Sequence, residues 1–258
     1  MLLSSHPADC RLGTLRLVVG VVAPAVKPLS TDGAIKSIVS KLRTGSQKID
    51  ALLDGGIEPS TITMIYGEGG TGKTNLCLML SRNAVIDGFR VIYIDTEGVS
   101  MDRLRQLCGS DFEKVSHNIL FSTPYDFLEQ TKLIEKGIKL IESSRRIGLI
   151  IVDSLTMLFR SHRADDQEDR KELNEQLTML LSAARKNDIP VLITSQVYTN
   201  IDRGTFEPLG GHAINHAAKT ILRLERLENR KRMATLVKHR YLRDSEHTEF
   251  TITQTGLE

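Results

Sequence analysis

Apolar residues along this chain fall into short continuous runs, separated by longer stretches in which they recur every three or four positions. The runs "TITMIYG" (61–67), "RVIYIDTEG" (90–98), "NILFSTP" (118–124), "GLIIVDS" (148–154) and "PVLITSQ" (190–196) read as strands. Strands this apolar are covered on both faces, as in a parallel sheet with helices on each side. Between them, residues 73 to about 87 predict an apolar helix, and "SMDRLRQL" (100–107) begins another with Ser100 as its N-cap. Residues 125–144 carry Phe127, Leu128, Ile134, Ile138 and Ile141 at helical spacing, and a further helix is expected from about 168 to 187. After residue 217 the rhythm changes. "TILRLERL" (220–227) alternates with period two, "ENRKR" (228–232) has the composition of a hairpin tip, and "MATLVKHR" (233–240) and "EFTIT" (249–253) follow as strands. The expected fold class is α/β, a mostly parallel sheet flanked by helices with a C-terminal antiparallel extension.

Residues 1–42 match none of this rhythm and are punctuated by Pro24, Pro28 and Gly33. The expected division is an N-terminal extension at 1–42, disordered or translated from an upstream start, and one core domain at 43–258. A hydrophobic content of 40% supports a proper core, while a net charge of +2 is too small to announce a polyanionic partner, so local charge has to decide. Cys10, Cys77 and Cys108 lack metal spacing and read as reduced thiols. The one membrane-like stretch, "LVVGVVAPAV" (17–26), is shorter than the roughly 20 residues a spanning helix needs. It has the look of a secretory leader, but the site below calls for ATP, so a cytoplasmic protein without membrane contact is expected.

"GEGGTGKT", made of Gly67, Glu68, Gly69, Gly70, Thr71, Gly72, Lys73 and Thr74, satisfies G-x-x-x-x-G-K-[ST] between an expected strand and an expected helix. Its glycines let successive backbone N–H groups converge on phosphate oxygens at a helix N-terminus. Lys73 then serves the β- and γ-phosphates of ATP, and the Thr74 hydroxyl a Mg²⁺ ion. Asp153, closing the strand "LIIVD", is placed to hold the same ion. "YIDTEG" brings two acids, Asp95 and Glu97, which strand alternation directs to one side; either suits the activation of an attacking water.

Taken together, "TGSQKIDALLDGGIEPSTITMIYGEGGTGKT", "VIYIDTEG", "IIVDSLTMLFR", "VLITSQV" and "PLGGHAINHAAKTILRLER" resemble the ATPase core of the RecA superfamily, on its archaeal and eukaryotic recombinase branch. The resemblance spans residues 44 to about 226 in family order. It implies a RecA-like fold, Glu97 as the water-activating acid, Arg103 stacked on adenine, and Gln196 as a γ-phosphate sensor that signals to a DNA loop. Two features of full recombinases are missing from residues 1–43, the helix–hairpin–helix domain and the Phe-x-x-Ala polymerisation motif. Together with "LVKHRYLRDSEHTEFTIT", their absence makes the chain similar to the archaeal RadB paralogues. The same segment resembles the Lys-x-Arg element of KaiC-like ATPases, which implies that Lys238 and Arg240 reach a neighbour's ATP in a homo-oligomer.

Residues 219–243 hold nine Lys/Arg against two acids, with Arg230, Lys231 and Arg232 at the expected hairpin tip, a surface suited to phosphate contacts. The position of the first DNA loop is less favourable, because residues 160–175 carry six acids against four Lys/Arg. The second, 197–209, has Arg203 as its only cation, with Tyr198 and Phe206 available for stacking. His212 and His216 are four apart but lack a third ligand, and read as packing or DNA-proximal residues. The resemblance implies a recombination accessory protein that binds ATP and single-stranded or branched DNA, hydrolyses ATP weakly and exchanges strands little. It implies the main archaeal recombinase and a Holliday-junction resolvase as partners. The alternatives are a DNA-stimulated strand-exchange recombinase and a KaiC-like signalling ATPase.

Overall fold

A strand that is apolar on both faces has to sit inside a sheet, and the central strands of the computed structural model do so. The structure describes residues 40–144, 146–159, 167–200 and 205–258. The strands β1 (Ile62–Gly67), β4 (Ile147–Asp153) and β5 (Val191–Ser195) are buried at every position. With β2 (Arg90–Asp95), β3 (Ile119–Ser122), β8 (Thr220–Arg226), β9 (Lys231–Lys238) and β10 (His247–Thr251) they make an eight-stranded sheet in the order β10-β9-β8-β1-β5-β4-β2-β3. The pairings from β8 to β3 are parallel, and β9 and β10 add antiparallel strands at one edge. Both the α/β class and the antiparallel extension expected from the sequence are found.

Alternate residues of the central strands feed opposite cores. Ile65, Tyr93, Leu149, Ile151 and Leu192 face α1 (Gln47–Leu52), α2 (Lys73–Ile86), α3 (Met101–Cys108) and α4 (Phe112–Asn118). Met64, Ile94, Ile150, Val152 and Ile193 face α5 (Phe127–Ser143), α6 (Gln167–Asn187) and α7 (Gly211–Ala217). Side chains of adjacent strand residues point to opposite faces, so one apolar run fills two cores.

Parallel order has a functional consequence: β1, β2, β4 and β5 all end on the same edge, so the segments that follow them are neighbours. The hairpin of β6 (Val197–Asn200) and β7 (Thr205–Pro208) rises from this edge directly after β5. Some local details differ from expectation. The β8–β9 tip is tighter than 228–232, because Asn229 and Arg230 take positive φ values of 55° and 59° and Lys231 N–H closes on Glu228 O at 3.2 Å. Leu42 is already part of the body, pairing with Ile57 in an antiparallel bridge. The rest of the expected extension, residues 1–39, lies outside the described residues. Among the described residues no helix is long and apolar enough to cross a membrane.

Candidate nucleotide site

The loop between β1 and α2 is where the chain stops being a strand and turns into a helix within five residues. Gly70 and Gly72 take φ values of 73° and 110°, a left-handed geometry that favours glycine. A Cβ at Gly70 would fall where the Arg226 guanidinium now sits, so a side chain there would displace it. Lys73 is 6% exposed, and its ammonium donates back to Gly67 O (2.8 Å) and Glu68 O (3.1 Å). Thr71 Oγ1 adds a bond to Glu68 O at 2.8 Å. The result is a backbone curl around a buried cation at a helix N-terminus, a donor set suited to a polyphosphate.

Asp153, at the end of β4, is fully buried. It accepts hydrogen bonds from Thr194 Oγ1 (2.5 Å) and Tyr93 OH (2.8 Å), and the Thr74 hydroxyl bonds to it as well. Burial pushes its carboxyl above the ordinary carboxylate range, and the three hydroxyls pull it back. An anion kept in such a place and shared with Thr74 has the hard oxygen chemistry that Mg²⁺ takes. Sequence inspection missed Tyr93 and Thr194, which are apolar-strand residues until the sheet brings them to this carboxylate. It also missed Thr96, whose N–H donates to Asp153 O (2.8 Å) and whose Oγ1 both accepts from Ser154 N–H (2.8 Å) and donates to Ser154 O (3.0 Å).

The two acids of "YIDTEG" separate into different roles. Asp95 is 7% exposed and accepts the N–H groups of Glu97 (3.1 Å), Gly98 (2.9 Å) and Val99 (2.7 Å). A carboxylate so satisfied holds a turn. Alternation therefore does not carry past Asp95: the strand ends there, and Glu97 lies exposed on the turn. Its Oε1 accepts from Gln196 Nε2 at 3.1 Å, and the same Nε2 reaches Met157 Sδ at 3.0 Å. Gln196 stands between β5 and β6, with its own N–H on Thr156 Oγ1 at 3.2 Å.

Arg103, N-capped within α3 by Ser100, bonds through Nε to Asn75 Oδ1 (2.5 Å). Its terminal nitrogens hold Thr253 O (2.8 Å) and Gln254 O (3.2 Å), which ties the C-terminal segment to the first turn of α2. Desolvation lowers its pKa from the usual arginine value.

The three hairpin cations do not form one cluster. Arg230 is exposed on the tip, Lys231 pairs with Glu249 at 2.7 Å, and Arg232 lies on β9 with one guanidinium nitrogen 3.4 Å from Gly70 O. The tight turn is the reason: it ends two residues earlier than the composition suggests, which puts Arg232 on a strand. Lys238 sits at the opposite end of β9, donating to Asn215 O (2.5 Å) and Ala218 O (2.9 Å) at the end of α7. Arg240 pairs with Glu58 at 3.3 Å. At about 3.3 Å per strand residue, Lys238 stands roughly 20 Å from Arg232 and the phosphate loop of its own chain.

Arg203 and residues 160–166 of the first expected DNA loop lie outside the described residues. Tyr198 is exposed and bonds Glu207 at 3.0 Å. His212 and His216 stack with ring centroids 5.6 Å apart, and among the described residues no group of three His, Cys, Asp or Glu is arranged for a metal. Cys77 and Cys108 are buried, free thiols, Cys108 being pushed up to about 11 by burial and Cys77 well above its ordinary value for the same reason.

Residues 35–258 match the Rad51 family. A DNA repair and recombination protein RadB of Archaeoglobus fulgidus is 45% identical over 218 residues, 83% of this chain and 96% of its own length. The protein of the same name from Thermoplasma acidophilum is 43% identical over 220 residues, covering 85% and 94%. The crystal structure of a RadB recombinase is similar with a TM-score of 0.75 at 33% identity, over 84% of this chain and 98% of that one.

Proposed function

The chain belongs to the Rad51 family, and on that premise we propose that it is a DNA repair and recombination protein of the RadB type, binding ATP with Mg²⁺ and contacting DNA. The observation that carries this reading is one of placement. The loop around Lys73, the Thr74–Asp153 pair, Glu97 and Gln196 follow four neighbouring parallel strands and meet at one sheet edge.

In this reading the loop amides and Lys73 hold the phosphates, while Thr74 and Asp153 hold the metal. Held there, Mg²⁺ would supply charge neutralisation for the phosphates. Glu97 accepts the proton of the attacking water. Gln196, bonded to Glu97 and opening the β6–β7 hairpin, relates the state of the site to that hairpin. Arg103 flanks the loop where a base would lie.

Turnover is slow in the isolated chain, because the cations proposed to complete the site, Lys238 and Arg240, stand far from its own phosphate loop and serve a docked copy. DNA contact is weak and led by the basic hairpin, since residues 160–175 are acidic in balance and 197–209 carry one cation. Such a protein assists a main recombinase in the cytoplasm, near branched DNA and its resolvase, more than it exchanges strands. Family membership favours this over a signalling ATPase.

The test is ATPase rate with and without single-stranded DNA, alongside DNA binding at two salt concentrations. A slow rate that DNA changes little, with binding that fades as salt rises, is expected. Strong stimulation by DNA would favour an active strand-exchange enzyme. Absence of binding at low salt would remove DNA from the reading.

A further inference from the structure

Two arginines outside the motif grip the phosphate loop from behind. Arg226, the last residue of β8, donates from its guanidinium to Gly69 O, and Arg232, near the start of β9, approaches Gly70 O at 3.4 Å. They lie directly opposite each other in the antiparallel register of the hairpin. Arg232 is steadied in turn by a bond to Arg230 O at the tip.

A trans peptide points its C=O and the next N–H in opposite directions. Holding Gly69 O therefore fixes where the Gly70 N–H points, and holding Gly70 O does the same for the Thr71 N–H. Gly67 O and Glu68 O are already held, by Lys73 and Thr71. Four successive carbonyls of the loop thus have donors, the last two from a hairpin more than 150 residues away in sequence.

We propose that Arg226 and, more weakly, Arg232 are positioning residues for the nucleotide site, bracing the loop so that the Gly70 and Thr71 amides are set for phosphate before it arrives. This deepens the ATP reading above and rests on it. Gly70 fits the proposal, because its missing side chain is what lets the Arg226 guanidinium approach.

The test has two readouts on Arg226→Ala, Arg226→Lys and Arg232→Ala. One is ¹⁵N relaxation of the Gly70 and Thr71 amides in the nucleotide-free protein. The other is competition by ATP and by inorganic triphosphate against a fluorescent ATP analogue. For Arg226→Ala the order parameters of those amides fall from about 0.85 toward about 0.6. Affinity for ATP and triphosphate falls together by about tenfold, the scale of a charge-assisted hydrogen bond. Arg226→Lys, which still offers a charged donor to Gly69 O, recovers most of both, and Arg232→Ala shows a smaller loss. Unchanged amide order and unchanged triphosphate affinity in Arg226→Ala would overturn the proposal, as would failure of lysine to rescue. Should Arg226→Ala not fold, Arg226→Gln, which keeps a neutral donor, is read on the same two scales. If the parent protein bound neither ATP nor triphosphate, the ATP reading would fall while relaxation still decided whether the brace exists.

Discussion

Gln196 Nε2 and Glu97 Oε1 are 3.1 Å apart, a hydrogen bond between residues 99 positions apart that joins the start of the β6–β7 hairpin to the acid beyond β2. The bond occupies one of the two oxygens of the carboxylate proposed to activate water. An amide side chain that can exchange Glu97 for a phosphate oxygen would release that acid and tug on β6 in one movement. The rest of Gln196 is anchored, through its N–H to Thr156 and through β5 behind it.

Glu97→Gln removes the base and retains the amide pairing. ATP turnover is expected to fall by about 10²- to 10⁴-fold, the usual worth of a positioned general base. ATP affinity stays within a few-fold, because phosphate binding rests on the loop and Lys73. Single-turnover rates and equilibrium binding measure the two separately; an unchanged rate would return the role to another group. Gln196→Ala is expected to remove any difference that DNA makes to turnover while leaving ATP bound.

Asp153 supplies a trade between stability and function. Burial raises its folded pKa, so folding disfavours the charged form; the stabilising contribution belongs to low pH and is lost as pH rises through the raised value. At neutral pH the ionised carboxylate costs stability in the absence of a cation. Asp153→Asn is therefore expected to unfold at or above the parent temperature. The same variant loses Mg²⁺-dependent ATP binding. Calorimetry across a pH series, paired with nucleotide titration, checks both halves. A midpoint well below the parent would mean that the hydroxyls of Tyr93 and Thr194 hold the carboxylate more favourably than burial opposes it.

The parts legible from sequence were those whose chemistry is local. Lys73 and Thr74 lie in one eight-residue motif, and Asp153 ends an apolar run, so strand, turn and helix place them without knowledge of the rest. Glu97 and Asp95 were harder, because the choice turns on a cap: the three N–H groups that Asp95 accepts end the strand and expose Glu97. Arg232 was misplaced by the register of a turn. Two positive-φ residues at 229 and 230 close the tip two residues early, which sets Arg232 on β9 with its guanidinium beside Gly70 O. Arg226 gave no signal at all, since its partner Gly69 is 157 residues away and the contact exists only once β8 lies beside β1.

The split of the basic hairpin predicts unequal shares in DNA binding. Arg230→Ala should weaken binding to single-stranded DNA and reduce the slope of log affinity against log salt by about 1, one phosphate contact fewer. Lys231→Ala should change that slope less, because Glu249 already stands 2.7 Å from its ammonium. Fluorescence anisotropy over several salt concentrations resolves the two. Equal losses would mean that Glu249 does not withhold Lys231 from phosphate, and no loss at either would mean the DNA path runs elsewhere.

Lys238 and Arg240 give the sharpest test of assembly. Each has a role inside its own chain, Lys238 on the carbonyls ending α7 and Arg240 against Glu58, and Lys238 lies at the end of β9 away from Arg232 and the phosphate loop. Burial together with the nearby Lys219 lowers the pKa of Lys238 from the ordinary lysine value, so its charge is held at some cost where it stands. If the pair serves a neighbouring copy, Lys238→Ala and Arg240→Ala leave nucleotide affinity of the dilute protein unchanged and abolish any rise of specific activity with protein concentration. Mixing then discriminates further. A Lys73→Ala chain has a disabled loop and intact cations, and a Lys238→Ala/Arg240→Ala chain has the reverse. The mixture is expected to recover turnover that neither chain shows alone, through interfaces that pair an intact loop with intact cations. No recovery, with both variants folded, would leave the two residues as ties between β9, α7 and the segment around Glu58, and would require the cation that completes the site to come from within the chain.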